Sequence, residues 1–241
     1  LLGVLGAVSH HSVRRILAVH VISQVGYMVF GLSLMTAAGL AGTLYYMIQH
    51  MVVKSSLFLC CGVIEHHAGS DNLDEAGGLS KRDTFLAVSF FIAAMSLVGL
   101  PPLSGFFGKL VLVREGWGSQ TILSVVALLT GALTLLSMLK VWINVFWSSP
   151  TKSTSNLDSR FKGLHSAYVG IGLLVTTALV LGFVAEPIYR IATHAGEQLI
   201  DPTAYIQAVD PRRLILVKGG GKMGWRIMAN VVIAGLLAMW I

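Results

Sequence analysis

Residues 40–64 form an apolar stretch with His50 and Lys54 near its middle. A helix of roughly 20 apolar residues crosses a bilayer, so the stretch reads as a transmembrane span. An ionisable side chain at that depth is expensive and is functional by default. His50 and Lys54 are four residues apart, about 40° from each other on one helix face and one turn apart along it. They look into the same cavity.

The rest of the chain agrees with a membrane setting. Of its 241 residues 55% are hydrophobic and only 12% charged, against roughly a quarter charged in soluble domains. The formal charge of +6 does not indicate nucleic acid, because Lys and Arg cluster between apolar runs instead of forming a stripe with aromatics. These clusters are topology signals. Cys60 and Cys61 are adjacent in an apolar run, which is neither a disulfide framework nor a metal spacing. They read as small packing residues. The apolar residues 1–8 are too short to span, and the chain ends inside another apolar run, so the sequence is expected to be a piece of a longer protein.

Further spans are expected at about 16–37, 84–113, 121–147 and 167–185, the last closed by Glu186-Pro187. A mixed tail follows over 188–222, then a last apolar piece from Met223. Span 84–113 is interrupted by Pro101-Pro102. Two prolines remove two backbone donors and clash with the preceding turn, so this helix must break at membrane depth. Such a break survives where the freed groups face protein or water. Alternation puts the loops at 9–15, 65–83 and 148–165 on one side, and their Lys and Arg content marks it as cytoplasmic. Arg212, Arg213, Lys218, Lys222 and Arg226 in the tail fall on the opposite side and spoil that count.

Lys54 is the leading candidate for chemistry. It lies some ten residues from either end of its segment, too deep for easy snorkelling, and desolvation brings a buried amine toward titration near neutral pH. His50 can pass a proton near neutral pH and, one turn from Lys54, exchange it with that amine through water. Lys109 follows the Pro-Pro break, a common way of building an ion site at the midplane. Tyr46, one turn before His50, extends the polar stripe, with a structural role equally open. His20 and Gln24 lie on one face of the first complete span, where a hydrated lining and plain interhelix hydrogen bonds both fit. Lys140 is within snorkelling reach of the cytoplasmic side, as an exit-side or interfacial group. The pairs His10-His11 and His66-His67 are read as loop residues without a metal, since no Cys or acidic spacing accompanies them. No nucleotide, haem, iron–sulfur or nucleophile motif is present, so no cofactor is expected.

Four motifs carry a resemblance: RRILAVHVISQVGYM at 14–28, QHMVVKSSLFL at 49–59, GLSK at 78–81 and GLPPLSGFFGK at 99–109. Together they are similar to the antiporter-like proton-translocating subunits shared by respiratory complex I and the Mrp multisubunit sodium/proton antiporters. The wording around His20, and DPTAYIQAV at 201–209, look most like the D branch of the Mrp type. The resemblance implies an all-α subunit of about fourteen helices in two inverted repeats. Residues 1–209 would hold most of the second repeat, and 210–241 a basic linker and the start of a further span similar to the opening of the E branch of the Mrp type. It implies Lys54 as the central lysine of a half-channel, with His50 linking it to the terminal carrier Lys109. Arg14 stands where many members have a lysine, and arginine does not release its proton, which argues against titration there.

The sequence therefore points to a polytopic all-α helix bundle with one discontinuous helix. The expected function is a proton-translocating subunit of a sodium/proton antiporter in a bacterial or archaeal cell membrane. Its expected partners are the other subunits, protons, sodium and the lipid bilayer. Two alternatives stay open: a redox-driven subunit of complex I or a membrane-bound hydrogenase, and a structural subunit with statically paired charges.

Overall fold

The structure is a computed structural model that describes residues 1–149 and 164–201, with 203, 206 and 209. The tail cations and the last apolar piece lie outside the described residues, as do Lys152, Arg160 and Lys162.

The described chain is helical, apart from one isolated bridge between Ser12 and Asn72. It runs α1 (Leu2–Ser9), α2 (Val13–Ser33), α3 (Ala37–Ala68), α4 (Thr84–Val98), α5 (Ser104–Ser119), α6 (Thr121–Trp142), α7 (His165–Phe183) and α8 (Ala185–Ile200). A π-helical turn, Ile143–Trp147, extends α6. By length and composition α2, α3, α6 with its extension, and α7 are each able to cross a membrane. Local chemistry sets the ends. Ser12, Thr36 and Asp83 accept backbone N–H groups from the first turns of α2, α3 and α4, satisfying donors that a helix start leaves orphaned. Gly69 and Gly99 close α3 and α4 in the left-handed region at φ 74° and 88°, which glycine enters without steric penalty.

Helix α3 is the axis of the bundle. Its 32 residues measure about 48 Å at 1.5 Å per residue, and α2, α4, α5, α7 and α8 all pack on it. As expected, the helical run breaks at the double proline, with α4 ending at Val98 and α5 starting at Ser104. The two halves meet at backbone contact: a Cβ on Gly105 would sit 1.9 Å from the Ser96 carbonyl oxygen.

Two expectations are corrected. Helix α3 continues to Ala68, so His66 and His67 belong to its last turn and not to a loop. The helical run is carried past the polar residues by tertiary contacts: His67 is buried and its Nε2 lies 2.7 Å from the Tyr168 hydroxyl of α7. The mixed tail expected from 188 also starts as a helix, since α7 ends at Phe183, close to the expected 185, and α8 follows directly with Glu186-Pro187. Both lie in the first turn of α8, where proline's missing N–H is no loss and its fixed φ suits a helix. Helix α8 is amphipathic and lies along the first turns of α3, with Tyr189 against Tyr45 and Gly196 against Ala37. The α7–α8 interruption lies beside the α4–α5 break. A Cβ on Gly182 would be 2.8 Å from both the Pro102 oxygen and the Ser104 nitrogen.

The α1–α2 turn, the α3–α4 turn and the end of the α6 extension gather at one end. The Val13 N–H donates to the Asp71 carbonyl and Leu73 N–H to that of His11, each at 2.8 Å, Ser12 bonds Asp71, and Gly77 lies against Ser148. The described parts of the loops read as same-sided, 9–15, 69–83 and 148–149, share an end.

Candidate functional site

The last four carbonyls of a helix have no partner within it, and at a mid-membrane break water cannot be relied on to supply one. At the end of α4 each finds a donor. The Met95 oxygen accepts the N–H groups of Gly99 and Leu100, at 3.0 and 3.2 Å. Ser96 accepts the Gln49 amide at 3.4 Å, and Leu97 and Val98 share the Lys109 ammonium, each at 2.9 Å. The Lys109 side chain, from α5, thus caps the last carbonyls of the half-helix α4, placed where the helix dipole favours a cation. Its amine also stands over two aromatic faces, 4.6 Å from the Tyr27 ring centroid and 5.9 Å from that of Tyr46, contacts worth about 0.5–2 kcal/mol each when desolvated. Gly99 makes room, since a Cβ there would sit 3.0 Å from Lys109 Cδ.

Residues 46, 50 and 54 recur on one face of α3 and continue the network away from Lys109. The Tyr46 hydroxyl donates to Gln24 Oε1, and the amide of Gln24 donates to Ser23 Oγ at 3.3 Å. His50 stacks on Tyr46 with ring centroids 6.2 Å apart. It is fully buried, and neither of its ring nitrogens has a hydrogen-bond partner among the described residues. One turn on, the Lys54 amine donates to the Leu17 carbonyl of α2 at 2.6 Å and lies 5.8 Å from the Phe58 ring. Its side chain is buried at 6% exposure. Among the described residues no carboxylate pairs with Lys54 or Lys109. Both ammonium groups are therefore held by neutral oxygens and ring faces, which an uncharged amine can leave.

The remaining sequence candidates fall into place around this core. His20 Nε2 lies 2.9 Å from Ser137 Oγ on α6, and its Nδ1 is buried without a partner. Lys140 donates to the carbonyls of Val8 and His10, at 3.0 Å each, and so closes the end of α1. Arg14 pairs with Glu65 at the exposed loop end, away from Lys54 and Lys109. Among the described residues no group of three or more His, Cys, Asp and Glu side chains is placed to hold a metal.

Sequence reasoning passed over Gln49, Ser96 and Ser104. The Gln49 amide also reaches Ser96 Oγ at 3.4 Å, and that hydroxyl lies 2.7 Å from Ser104 Oγ, so the three tie α3 to both sides of the break. Their one signal was position: Gln49 precedes His50, and the two serines flank the double proline. A second missed cluster lies at the loop end, where Asp83 is bonded by Tyr168, by the Leu86 N–H and by His67. Burial alone would raise the Asp83 pKa, but these donors outweigh it and hold the carboxyl below its ordinary value.

This arrangement, a broken helix with two buried lysines that no carboxylate pairs with among the described residues and a buried histidine one turn from Lys54, can be set beside known proteins. Residues 1–134 match the family described as NADH:quinone oxidoreductase/Mrp antiporter, TM. The chain belongs to this family. The D-type component of the Na(+)/H(+) antiporter of Alkalihalophilus pseudofirmus is 44% identical over 86% of the chain, which spans 42% of that relative's length. In the structure of the Mrp complex from a Dietzia species, a chain 34% identical superimposes with a TM-score of 0.78, over 87% of this chain and 47% of that one. A chain of respiratory complex I from Thermus thermophilus, 25% identical, gives 0.68 over 81% of this chain and 41% of that one.

Proposed function

We propose that this chain is the proton-conducting half-channel of a monovalent cation/proton antiporter subunit, with Lys54, His50 and Lys109 as the relay. The observation that carries the reading is His50. A fully buried imidazole without a hydrogen-bond partner among the described residues, one turn from Lys54 and stacked on the tyrosine that faces Lys109, is a group poised to exchange protons through water. Buried polar atoms in native proteins are almost always satisfied. Tyr46 and Gln24 line the path, His20 and Ser137 border it on the α6 side, and the loop end with Arg14 faces the cytoplasm of a bacterial or archaeal cell. The name of the Alkalihalophilus relative supports sodium as the exchanged ion.

The test uses membrane vesicles containing the full complex. Lys54→Ala abolishes sodium-linked proton exchange while the complex still assembles; exchange at the parental rate in an assembled complex would remove Lys54 from the mechanism. The similarity to a complex I chain supports a second reading, a proton pump driven by a redox arm. Purification through a tag on this subunit separates the two, since only the redox-driven complex copurifies with flavin and iron–sulfur absorbance.

A further inference from the structure

The geometry points to a binding site for a dehydrated alkali cation at the C-terminal end of α4, which the Lys109 ammonium occupies as a tethered substitute. This inference rests on the proton-relay reading and adds to it where the exchanged ion binds.

The ligand set is neutral oxygen. The Leu97 and Val98 carbonyls converge on one amine at 2.9 Å each, and the same helix end carries the Ser96 hydroxyl with Ser104 Oγ 2.7 Å away. Gln49 Oε1 is buried beside them without a hydrogen-bond partner among the described residues, although its own amide reaches Ser96. Carbonyls of an interrupted helix, aided by the negative end of its dipole, are a recurrent way to hold a monovalent cation inside a membrane. A carboxylate is not required.

The amine has somewhere to go. Lys109 lines a partly open apolar cavity of about 270 Å³ between α5 and α6, whose walls include Tyr27, Leu100, Leu128 and Leu135. That space is apolar and suits an uncharged amine, and the carbonyls suit a cation. When Lys109 gives its proton to the relay it becomes neutral, leaves the carbonyls and withdraws into the cavity, and an alkali cation takes the vacated oxygens. When it is reprotonated, the ammonium displaces the cation. The site carries one positive charge in either state, so proton release and cation uptake are obligatorily linked there. The ionisable groups that face Lys109 are Tyr27 from α2 and Tyr46 from α3, with His50 stacked behind Tyr46, and its charge is also felt at His20 of α2 and at His50. Helix α4 contributes none, Lys140 of α6 is engaged with the end of α1, and Tyr168 of α7 is engaged at the loop end.

The test is equilibrium binding of radiolabelled sodium to the purified full complex, alongside sodium/proton exchange in proteoliposomes. Ser96→Ala with Ser104→Ala removes two ligand oxygens and leaves the carbonyls and Lys109 in place. Half-saturating sodium then rises about tenfold or more, tenfold being the loss of about 1.4 kcal/mol. Lys109→Arg keeps a permanent cation on the carbonyls, and the number of sodium ions bound per complex falls by one. Lys54→Ala stops exchange yet leaves that number unchanged. Parental binding and parental half-saturation in both the double-serine and Lys109→Arg variants would overturn the cation site and leave the relay standing. Persisting exchange in Lys54→Ala would overturn the relay itself.

Discussion

Gly105→Ala tests the geometry of the break with the addition of one methyl group. The new Cβ would lie 1.9 Å from the Ser96 carbonyl oxygen, whereas ordinary contact begins at 3.4 Å. The atom it meets is backbone and cannot rotate away, so the two half-helices must part by about 1.5 Å, at the about 1–3 kcal/mol typical of overpacking. If that displacement passes to Lys109, its 2.9 Å bonds to Leu97 and Val98 stretch to about 4.4 Å, well beyond hydrogen-bonding distance. Alanine is intrinsically better than glycine in a helix by about 1 kcal/mol, which opposes the effect without cancelling it. Gly118→Ala on the same helix, where nothing lies within 4 Å, isolates that opposing part. Sodium/proton exchange in vesicles, normalised to the amount of assembled complex, falls at least about tenfold in Gly105→Ala, equivalent to about 1.4 kcal/mol, and is unchanged in Gly118→Ala. Parental exchange in Gly105→Ala would refute the contact between the half-helices on which the site depends.

Three other outcomes follow from the same geometry. His50→Phe keeps the ring stack on Tyr46 and removes the titrating atoms, so thermal stability of the complex is retained while exchange is lost; full exchange would exclude His50 from the relay. Lys140→Ala leaves the Val8 and His10 carbonyls without their donor, so the melting temperature drops, by the equivalent of about 1–3 kcal/mol, and the pH profile of exchange keeps its shape. Asp83 has a folded pKa below its unfolded value of about 3.9, so its contribution to stability is complete above that pH and disappears as pH falls toward the folded value. Melting curves of parental and Asp83→Asn complexes should therefore differ at neutral pH and converge below about pH 4; a constant gap would show that the carboxylate charge is irrelevant.

How far the sequence could be read depended on whether a signal was local. Span α3 and the α4–α5 interruption were legible, because apolar length and a double proline act on their own segment. The capping of α4 was not, since it joins Lys109 and Gln49 to backbone carbonyls on another helix, and carbonyls carry no residue-type signature. Helix α8 was missed because Glu186-Pro187 resembles a stop, although proline is tolerated in a first turn, and only packing on Tyr45 and Ala41 turns its mixed composition into a helix face. His66 and His67 were placed in a loop for a similar reason: the residue that buries His67, Tyr168, is more than a hundred positions away.

Lys54→Arg separates a titrating lysine from a static one most directly. Arginine keeps the positive charge and is able to donate to the Leu17 carbonyl that holds the amine, but it does not give up its proton under any condition a membrane protein meets. With assembly confirmed, vesicles carrying this variant should show sodium-dependent proton movement at the background level of vesicles lacking the complex. Exchange at the parental rate would mean that the buried charge at position 54 only has to be present, and the relay would be refuted.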